Sequence, residues 1–359
     1  MSVVLVATAV DAKREQVFDI PQRTVSTLRQ QLIFDVPHGT LHVEESDDNQ
    51  LHIGGTKVIS ADTPERVAAL AGQTNVDLFE DDLACRVLVE IPGPPKRGFW
   101  DWMFGGREQV GVDLRVQVPH NAALHIRTTS ADVWGARLAG TLRVYSHSGD
   151  VHLFDVGSGV HVEVTRGRVH VENVDGAVVV EGADSNVTLR GIAGNCSVDL
   201  QEGDLEAADL RRNVAVQTRG GDVRLDDLRG NLQLSTASGN AIVRNVRGDV
   251  RTNLMHGHLD VELEPRLGRY YEMTSRTGDL SVRLLGRAPF QLHAQAPDGS
   301  LRGSIPGMTY EQHTSHEVRG QVDDSGGPHV HLRSDEGNVH VCCPARESAG
   351  RCSGDKLRS

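Results

Sequence analysis

Three carboxylates recur at 18-residue spacing in the middle of the chain, and they are the first candidates for chemistry. Glu163, Glu181 and Asp199 each follow a valine directly, so they fall on the outward side of successive short strands. Stacked carboxylates raise one another's pKa values and can hold a cation or a sugar. Such a column also occurs as an ordinary solvated surface, and the sequence leaves both interpretations open.

Histidines are the second candidates, since the chain contains 17 of them. Near its end, four possible metal ligands occupy alternating positions: His329, His331, His340 and Cys342. Exposed histidines on strand faces produce the same pattern. We therefore predict no metal site and no cofactor.

The motif details do not support the two chemistries that an 18-residue coil suggests. Calcium-binding β-rolls need Gly-Gly-x-Gly-x-Asp in successive turns, whereas this chain has Gly-Gly-Asp once, at 220–222. Hexapeptide acyltransferase coils repeat their apolar positions every six residues, and here these positions recur every nine. Nucleophile elbows, His-Glu-x-x-His, P-loops and dinucleotide glycines are also absent from the sequence. The prediction is a protein that is not an enzyme.

The elements that position these residues come from a repeat that runs from Ala131 to about Gly257. Its turn residues stand at strict 18-residue intervals: Ala131, Gly149, Gly167, Ser185, Gly203, Gly221, Gly239 and Gly257. After each turn apolar and polar side chains alternate, and a second alternating run follows nine residues later. Strands this short cannot bury a face alone. The pattern therefore predicts an all-β fold, a parallel β-solenoid of about eight 18-residue coils, roughly 38 Å long.

One corner of each predicted coil carries a short polar side chain. These residues form a column: Asp155, Asn173, Asp209, Asp227 and Asn245. Asp and Asn bond readily to nearby backbone and to stacked neighbours, so we expect this column to tie one coil to the next.

The flanking segments predict caps on the solenoid. We divide the chain into an N-terminal β-rich capping region (1–118), the β-solenoid (119–285), C-terminal closing strands (286–341) and a disordered tail (342–359). The alternation from Gln31 to Ile53 predicts a small antiparallel layer, and Thr63 and Pro64 predict the start of one short helix. A last strand pair, 330–333 with 338–341, is expected to close the C-terminal end.

A loop at 93–110 in the capping region concentrates aromatic side chains. Two of the three tryptophans lie in a run of six residues that contains Phe99, Trp100, Trp102 and Phe104. One interpretation is that this loop covers an end or an edge strand of the solenoid, which such folds require. The other is an exposed segment that docks on a protein partner or makes peripheral contact with a membrane surface.

Charge and chain ends limit the partners and the location. The formal net charge is −12 and no basic stripe runs from coil to coil, so we expect no nucleic-acid partner. An apolar run near Met1 lacks a preceding basic residue, since Lys13 and Arg14 come after it, which is the wrong order for a secretory signal. We therefore predict a cytoplasmic protein, with the cell envelope or secretion as the alternative.

Several pieces together resemble a bacterial "putative adhesin" family of unknown function, in which Ser-Gly-Asp-Val-type repeats follow one another. The matching pieces are 148–151, 221–223, 278–280 and 335–339, together with a Val-x-Leu-x-Val-x-Val-Pro strand at 112–119. The resemblance covers most of residues 30–341. It implies a β-solenoid fold and supplies no catalytic residues.

The sequence thus favours a non-enzymatic scaffold or interaction protein. Its β-solenoid platform binds a protein or surface partner through the aromatic loop and self-associates through the solenoid ends. The alternative is a carbohydrate-binding or carbohydrate-active solenoid that uses the column Glu163, Glu181 and Asp199.

Overall fold

The computed structural model describes residues 14–26, 31–81, 83–92, 108–286, 288–323 and 326–343. The chain forms two compact units. Unit 1 comprises Met1–Gly140 and Ser146–Gly149, and unit 2 comprises Thr141–Tyr145 and Asp150–Ser359. Most described residues of both units lie in strands, and they include one short helix, so the predicted all-β class is confirmed. The predicted aromatic residues Phe99, Trp100, Trp102 and Phe104 fall outside the described residues.

The described residues of unit 1 up to 138 form seven strands and one helix. Their bounds are β1 (Arg14–Val25), β2 (Gln31–Glu45), β3 (Leu51–Ala61), α1 (Pro64–Gln73), β4 (Asn75–Glu80), β5 (Ala84–Glu90), β6 (Gln109–Val118) and β7 (Ala123–Leu138). Strand β2 pairs in parallel with β7 on one side and with β5 and β6 on the other. Strand β2 therefore lies between parallel strands on both sides, as an inner tier of the stack. The prediction of an antiparallel layer at 31–53 is wrong for this strand. Antiparallel pairing occurs outside it, where β3 covers β6, β1 covers β3 and β4 covers β5.

Helix α1 begins where the sequence predicts. Thr63 Oγ1 accepts a hydrogen bond from the Arg66 backbone N–H at 3.2 Å, and Pro64 occupies the first turn. Val67 and Leu70 are buried against Ile59 of β3. The helix thus packs its apolar side on the antiparallel strands that cover the tiers.

From residue 142 onward, the helices and strands of the described residues are all strands. Their bounds are β8 (Leu142–Ser148), β9 (Val151–Val156), β10 (Val160–Val174), β11 (Val178–Ile192), β12 (Cys196–Glu202), β13 (Leu205–Leu210), β14 (Val214–Thr218), β15 (Val223–Leu228), β16 (Leu232–Ser238), β17 (Ala241–Val246), β18 (Val250–His256), β19 (Leu259–Leu263), β20 (Tyr270–Thr277), β21 (Leu280–Leu284), β22 (Phe290–Gln295), β23 (Leu301–Ser304), β24 (Met308–His313), β25 (Glu317–Val322), β26 (His329–Glu336) and β27 (Val339–Cys342).

Between residues 142 and 284 these strands build eight coils, which confirms the predicted solenoid. Each strand pairs in parallel and in register with the strand one coil later, as Val187 does with Leu205 and Leu205 with Val223. The predicted apolar positions point inward, and side chains such as Leu189 and Val243 are fully buried. Burial of these stacked Val and Leu side chains supplies the main stabilisation of the coils.

Two corner positions take backbone conformations that the sequence can explain. The turn glycines have φ values of +99° to +134°, which side chains other than glycine rarely adopt. The predicted polar column is left-handed: Asp155, Asn173, Asp209, Asp227 and Asn245 have φ values of +50° to +57°, and Gly191 occupies the same position. Asn173 Nδ2 donates to Asp155 Oδ1 at 3.0 Å, so part of the expected coil-to-coil bonding is present.

A second polar ladder runs along the residues that follow the turn glycines. In each step a side chain accepts the backbone N–H one coil further on, at 2.8–3.1 Å: Asn186 from Asp204, Asp204 from Asp222, Asp222 from Asn240, Asn240 from His258, His258 from Asp279, and Asp279 from Asn338. These bonds satisfy backbone donors at the turns, where the strand ladders are interrupted.

The last step of the ladder shows that, at this end of unit 2, the coils do not stack in the order in which they occur in the sequence. Strands β26 and β27 pair in parallel with β20 and β21 on one side and with β22 and β23 on the other. The last strand pair of the chain is therefore an inner tier, although the sequence predicts it to close the end. The outer position belongs to β22, which is covered by antiparallel β25 and then by β24.

Candidate functional site

A polar groove of about 830 Å³ lies on the outward face of unit 1. Strands β1, β3, β6 and β2 provide its lining, because their outward side chains alternate with buried ones. One row of facing residues leads from the groove to the neighbouring strand β7: Gly54 pairs with Arg115 and Arg115 with His42 within the lining, and His42 pairs with Trp134 beside it. Neighbouring strands lie about 4.8 Å apart, so this row spans roughly 14 Å.

An aromatic pair marks the β7 side of this row. The Trp134 residue is 39% exposed, and its ring stacks on that of His42 with centroids 6.1 Å apart and an interplanar angle of 19°. The indole therefore presents a large apolar surface in a fixed orientation.

Other side chains of the groove are fixed by hydrogen bonds. Arg137 donates to Glu44 Oε2 at 2.5 Å. His52 bonds to Asp48 through Nε2 at 2.8 Å and to the Thr24 hydroxyl through Nδ1 at 3.0 Å. The hydrogen bond from His52 holds the pKa of the Asp48 carboxyl below its ordinary value. The groove thus offers oriented donors and acceptors beside an apolar platform.

The predicted acidic column exists as a geometric feature of unit 2. Glu163, Glu181 and Asp199 lie at paired positions on β10, β11 and β12, and all three are exposed. His161 Nε2 lies 3.9 Å from Glu181 Oε1, beyond hydrogen-bond distance. The three carboxylates are therefore brought together on an open surface, where water solvates them.

The four predicted metal-ligand candidates do not converge. His329 and His331 lie on β26, whereas His340 and Cys342 lie on β27, and each strand pairs with other coils. Among the described residues, no group of three or more His, Cys, Asp or Glu side chains has an arrangement that could hold a metal ion.

His331 has a different neighbour from the one that the sequence indicates. Its ring lies 5.0 Å from that of His293 on β22, and His293 Nε2 bonds to Glu317 at 2.9 Å. Burial, and then the neighbouring His293, lower the pKa of His331. The imidazole of His331 is thus favoured in the neutral form.

The buried cysteines are unsuited to thiolate chemistry. Cys85 and Cys196 are free and buried, as their inward sequence positions predict. Burial raises the pKa of Cys196 to about 12, so its thiol stays protonated at neutral pH.

The groove in unit 1 was not predicted from the sequence. A signal was available at Trp134, an aromatic residue at an outward position, directly before Gly135, where the apolar repeat is broken. The remaining lining residues come from four strands that are distant in sequence, so no local motif joins them. Among the described residues, no helix has the length and apolar character needed to cross a membrane.

Comparisons with solved structures give weak likenesses to bacterial proteins. A putative cell adhesion protein from Clostridium sporogenes shares 10% identity at a TM-score of 0.20, and the match covers 93% of this chain and 100% of that one. A putative adhesin from Bacteroides fragilis shares 10% at 0.18, covering 92% and 97% of the two chains. A putative adhesin from Parabacteroides merdae shares 11% at 0.25, covering 91% and 96%. TM-scores this low support no conclusion about a shared function.

The sequence comparisons are narrower. No curated protein matches the chain. A family model described as Toastrack DUF4097 matches residues 180–342, which lie within unit 2 and include its coils from β11 to β27. Residues 180–342 therefore match the Toastrack DUF4097 family model, and this match confirms the predicted resemblance to a "putative adhesin" family of unknown function.

Proposed function

We propose that the protein is a non-enzymatic interaction protein whose β-solenoid presents rigid outward faces to a protein or surface partner. The observation that carries this proposal is the register of unit 2. From Glu163 to Asn253, the outward side chains of six successive strands occupy equivalent positions. Each inner strand is hydrogen-bonded on both sides, so these side chains keep a fixed spacing of about 4.8 Å. Such a surface binds by complementarity without first having to become ordered.

The aromatic run Phe99, Trp100, Trp102 and Phe104 is the partner-binding segment in this proposal. Its support is composition, because tryptophans are enriched in the centres of interfaces. A protein partner is the occupant we propose, and contact with a membrane surface is the competing outcome.

Affinity capture from the native cell with matched tryptophan variants tests this segment. We expect the wild-type chain and Trp134→Ala to capture the same protein, and the double variant Trp100→Ala/Trp102→Ala to lose it. The captured protein is then purified and its direct binding measured by calorimetry. Equal binding by the wild type and the double variant would overturn the docking role. Binding of the wild type to anionic vesicles alone would replace the protein partner with a membrane surface.

Self-association is the second form of the proposal. Strand β23 is four residues long and pairs with β27, whereas β22 beside it is covered by β25. The Leu301 N–H on the outer edge of β23 donates to the Ser315 carbonyl at 3.0 Å, and the rest of that edge is where a further coil from another copy would add. Light scattering after size exclusion tests this: a monomer at all concentrations rules it out, and a dimer whose share rises with protein concentration supports it.

The carbohydrate alternative keeps one observation in its favour, which is the alignment of Glu163, Glu181 and Asp199 on adjacent strands. A glycan array probed with the wild type and with the triple variant Glu163→Gln/Glu181→Gln/Asp199→Asn decides it. Loss of bound glycan in the triple variant supports the column, and unchanged binding removes it. Fractionation of native cells separates the predicted cytoplasmic location from the cell-envelope alternative.

A further inference from the structure

The groove of unit 1 has the dimensions and the lining of a ligand site. Its volume of about 830 Å³ falls within the range of roughly 300–1,000 Å³ that is typical of small-molecule sites. It lies on a sheet whose strands are fixed by pairing on both sides, as β6 is by β2 and β3. A site on such strands is preformed, so a ligand need not order it.

The Trp134–His42 pair points to a ligand with a flat apolar face. An exposed indole held against a second ring offers one broad apolar surface. A pyranose ring matches this surface, because its axial C–H groups form an apolar face and its hydroxyls project from the rim. A purely apolar ligand would leave the surrounding polar side chains without partners.

The polar side chains of the groove match the hydroxyl rim of such a ring. Arg115 and Gln117 of β6 are exposed and supply donors, while Glu44 and Asp113 supply carboxylate acceptors. Arg115 makes neither a hydrogen bond nor an ion pair with the described part of the chain. This residue lies between Gly54 and His42 in the row that leads to Trp134. Donors and acceptors that alternate over one surface suit vicinal hydroxyls, each of which donates and accepts.

Two glycines in β3 keep the groove open. A Cβ atom at Gly55 would lie 2.0 Å from the Asp113 carbonyl oxygen, so the β3 and β6 backbones approach too closely for a side chain there. At Gly54 the nearest atom would be 3.5 Å away, on Gln22, so a side chain fits there without a clash with the backbone. A side chain at Gly54 would therefore enter the groove, and glycine leaves that volume to a ligand.

We propose that this groove binds an oligosaccharide, with Trp134 as the stacking platform and Arg115 as the principal hydrogen-bond donor. The inference deepens the proposed interaction function, on which it rests, by naming the chemical class of one ligand. It is separate from the aromatic run at 99–104 and from the acidic column of unit 2.

A glycan array probed with the purified full chain tests the proposal. The array contains neutral oligosaccharides built from glucose, galactose, mannose and N-acetylglucosamine, together with uronic-acid and sialylated ones. We expect the wild type to bind at least one oligosaccharide, and its affinity to be measured by calorimetry. Removal of the indole in Trp134→Ala should weaken that binding by about tenfold or more, as the loss of an aromatic anchor does elsewhere.

A second variant and two controls make the result unambiguous. Gly54→Leu should block the groove and abolish binding, and its far-UV circular dichroism shows whether it folds. If it does not fold, Trp134→Ala decides alone, since that side chain is partly exposed. The controls are Trp100→Ala/Trp102→Ala and Glu163→Gln/Glu181→Gln/Asp199→Asn, which should bind the same oligosaccharide as the wild type.

The possible failures are distinguishable. An array without any bound oligosaccharide, or a Trp134→Ala variant that binds like the wild type, overturns the groove. Loss of glycan binding only in the acidic-column variant assigns the ligand to unit 2 instead. Loss of a protein partner in the double tryptophan variant, with glycan binding retained, supports both the groove and the proposed docking segment.

Discussion

The substitution Gly239→Ala tests the geometry that lets one coil stack on the next. Gly239 occupies a turn with φ of +113°, a conformation that alanine adopts only under strain. A Cβ atom there would lie 2.0 Å from the Gly221 carbonyl oxygen and 2.7 Å from its carbonyl carbon. These atoms belong to the backbone of the preceding coil, so no side-chain rotation can relieve the overlap.

The expected loss of stability follows from two costs and one offset. A non-glycine residue at this φ costs about 1–3 kcal/mol, and an overpacked contact costs about 1–3 kcal/mol more. Alanine also restricts the unfolded chain, which returns about 0.5–1 kcal/mol. The net prediction is a loss of about 1–5.5 kcal/mol in the free energy of unfolding.

Two further glycines separate these contributions. At Gly268 φ is +73° but nothing lies within 4 Å of an added Cβ, so Gly268→Ala carries only the backbone cost, about 1–2 kcal/mol. At Gly220 φ is not positive and the nearest atom would be 3.6 Å away, so Gly220→Ala should stay within about 0.5 kcal/mol of the wild type. Urea unfolding followed by far-UV circular dichroism gives the midpoints under one set of conditions.

The order of stability is the decisive result. We expect wild type and Gly220→Ala to be similar, Gly268→Ala to be weaker and Gly239→Ala to be weakest. If Gly239→Ala unfolds at the same urea concentration as Gly220→Ala, the coils do not approach each other as closely as the stacked turns require. That result would refute the close stacking of the turn glycines.

Two other substitutions test the left-handed corner and the titration of a half-buried histidine. Asp227 has φ of +52°, and an earlier coil has Gly191 at the same position. We therefore expect Asp227→Val to lower the free energy of unfolding by about 1–3 kcal/mol and Asp227→Gly to lower it by less than about 1 kcal/mol. Equal losses in the urea midpoints of the two variants would contradict this prediction. Burial lowers the pKa of His331 beneath its ordinary 6.5, so the folded state resists protonation and its stability falls as pH drops below about 6.5. His331→Gln should flatten the decline in urea midpoint from pH 7 to pH 5, whereas the exposed control His313→Gln should not. Identical pH profiles for the wild type and both variants would show that His331 is not the origin of the decline.

The repetitive part of unit 2 was predictable because its pairing partners are a constant distance apart in sequence. A strand such as β13 pairs with strands one coil before and one coil after it, so one alternating pattern fixes both the buried face and the register. The polar column at the corner was predictable for the same reason, whereas its left-handed backbone conformation was found only in the structure. Asp and Asn recur where the chain must reverse, and both tolerate that conformation.

The ends were not predictable from the same pattern. Gln31 of β2 pairs with Ala123 of β7, and Thr277 of β20 pairs with Glu336 of β26, across intervals unrelated to 18 residues. Alternation shows which side of a strand is buried and leaves its neighbours undefined. The groove was hidden for this reason, since its row from Gly54 to Trp134 exists only once β3, β6, β2 and β7 are known to be adjacent.

Because the coils at this end of unit 2 do not stack in sequence order, local unfolding of this end differs from that of a simple solenoid. In a simple solenoid the last coil has one neighbour and can detach alone, so stability declines towards the end. Here the last segment of the described chain, β26 and β27, has parallel partners on both sides. It cannot leave without breaking two sets of strand pairing, and among the described strands β22 and β23 have no other parallel partners. The inserted tier therefore couples the outer coil, its antiparallel cover β25 and the inner coils into one cooperative group.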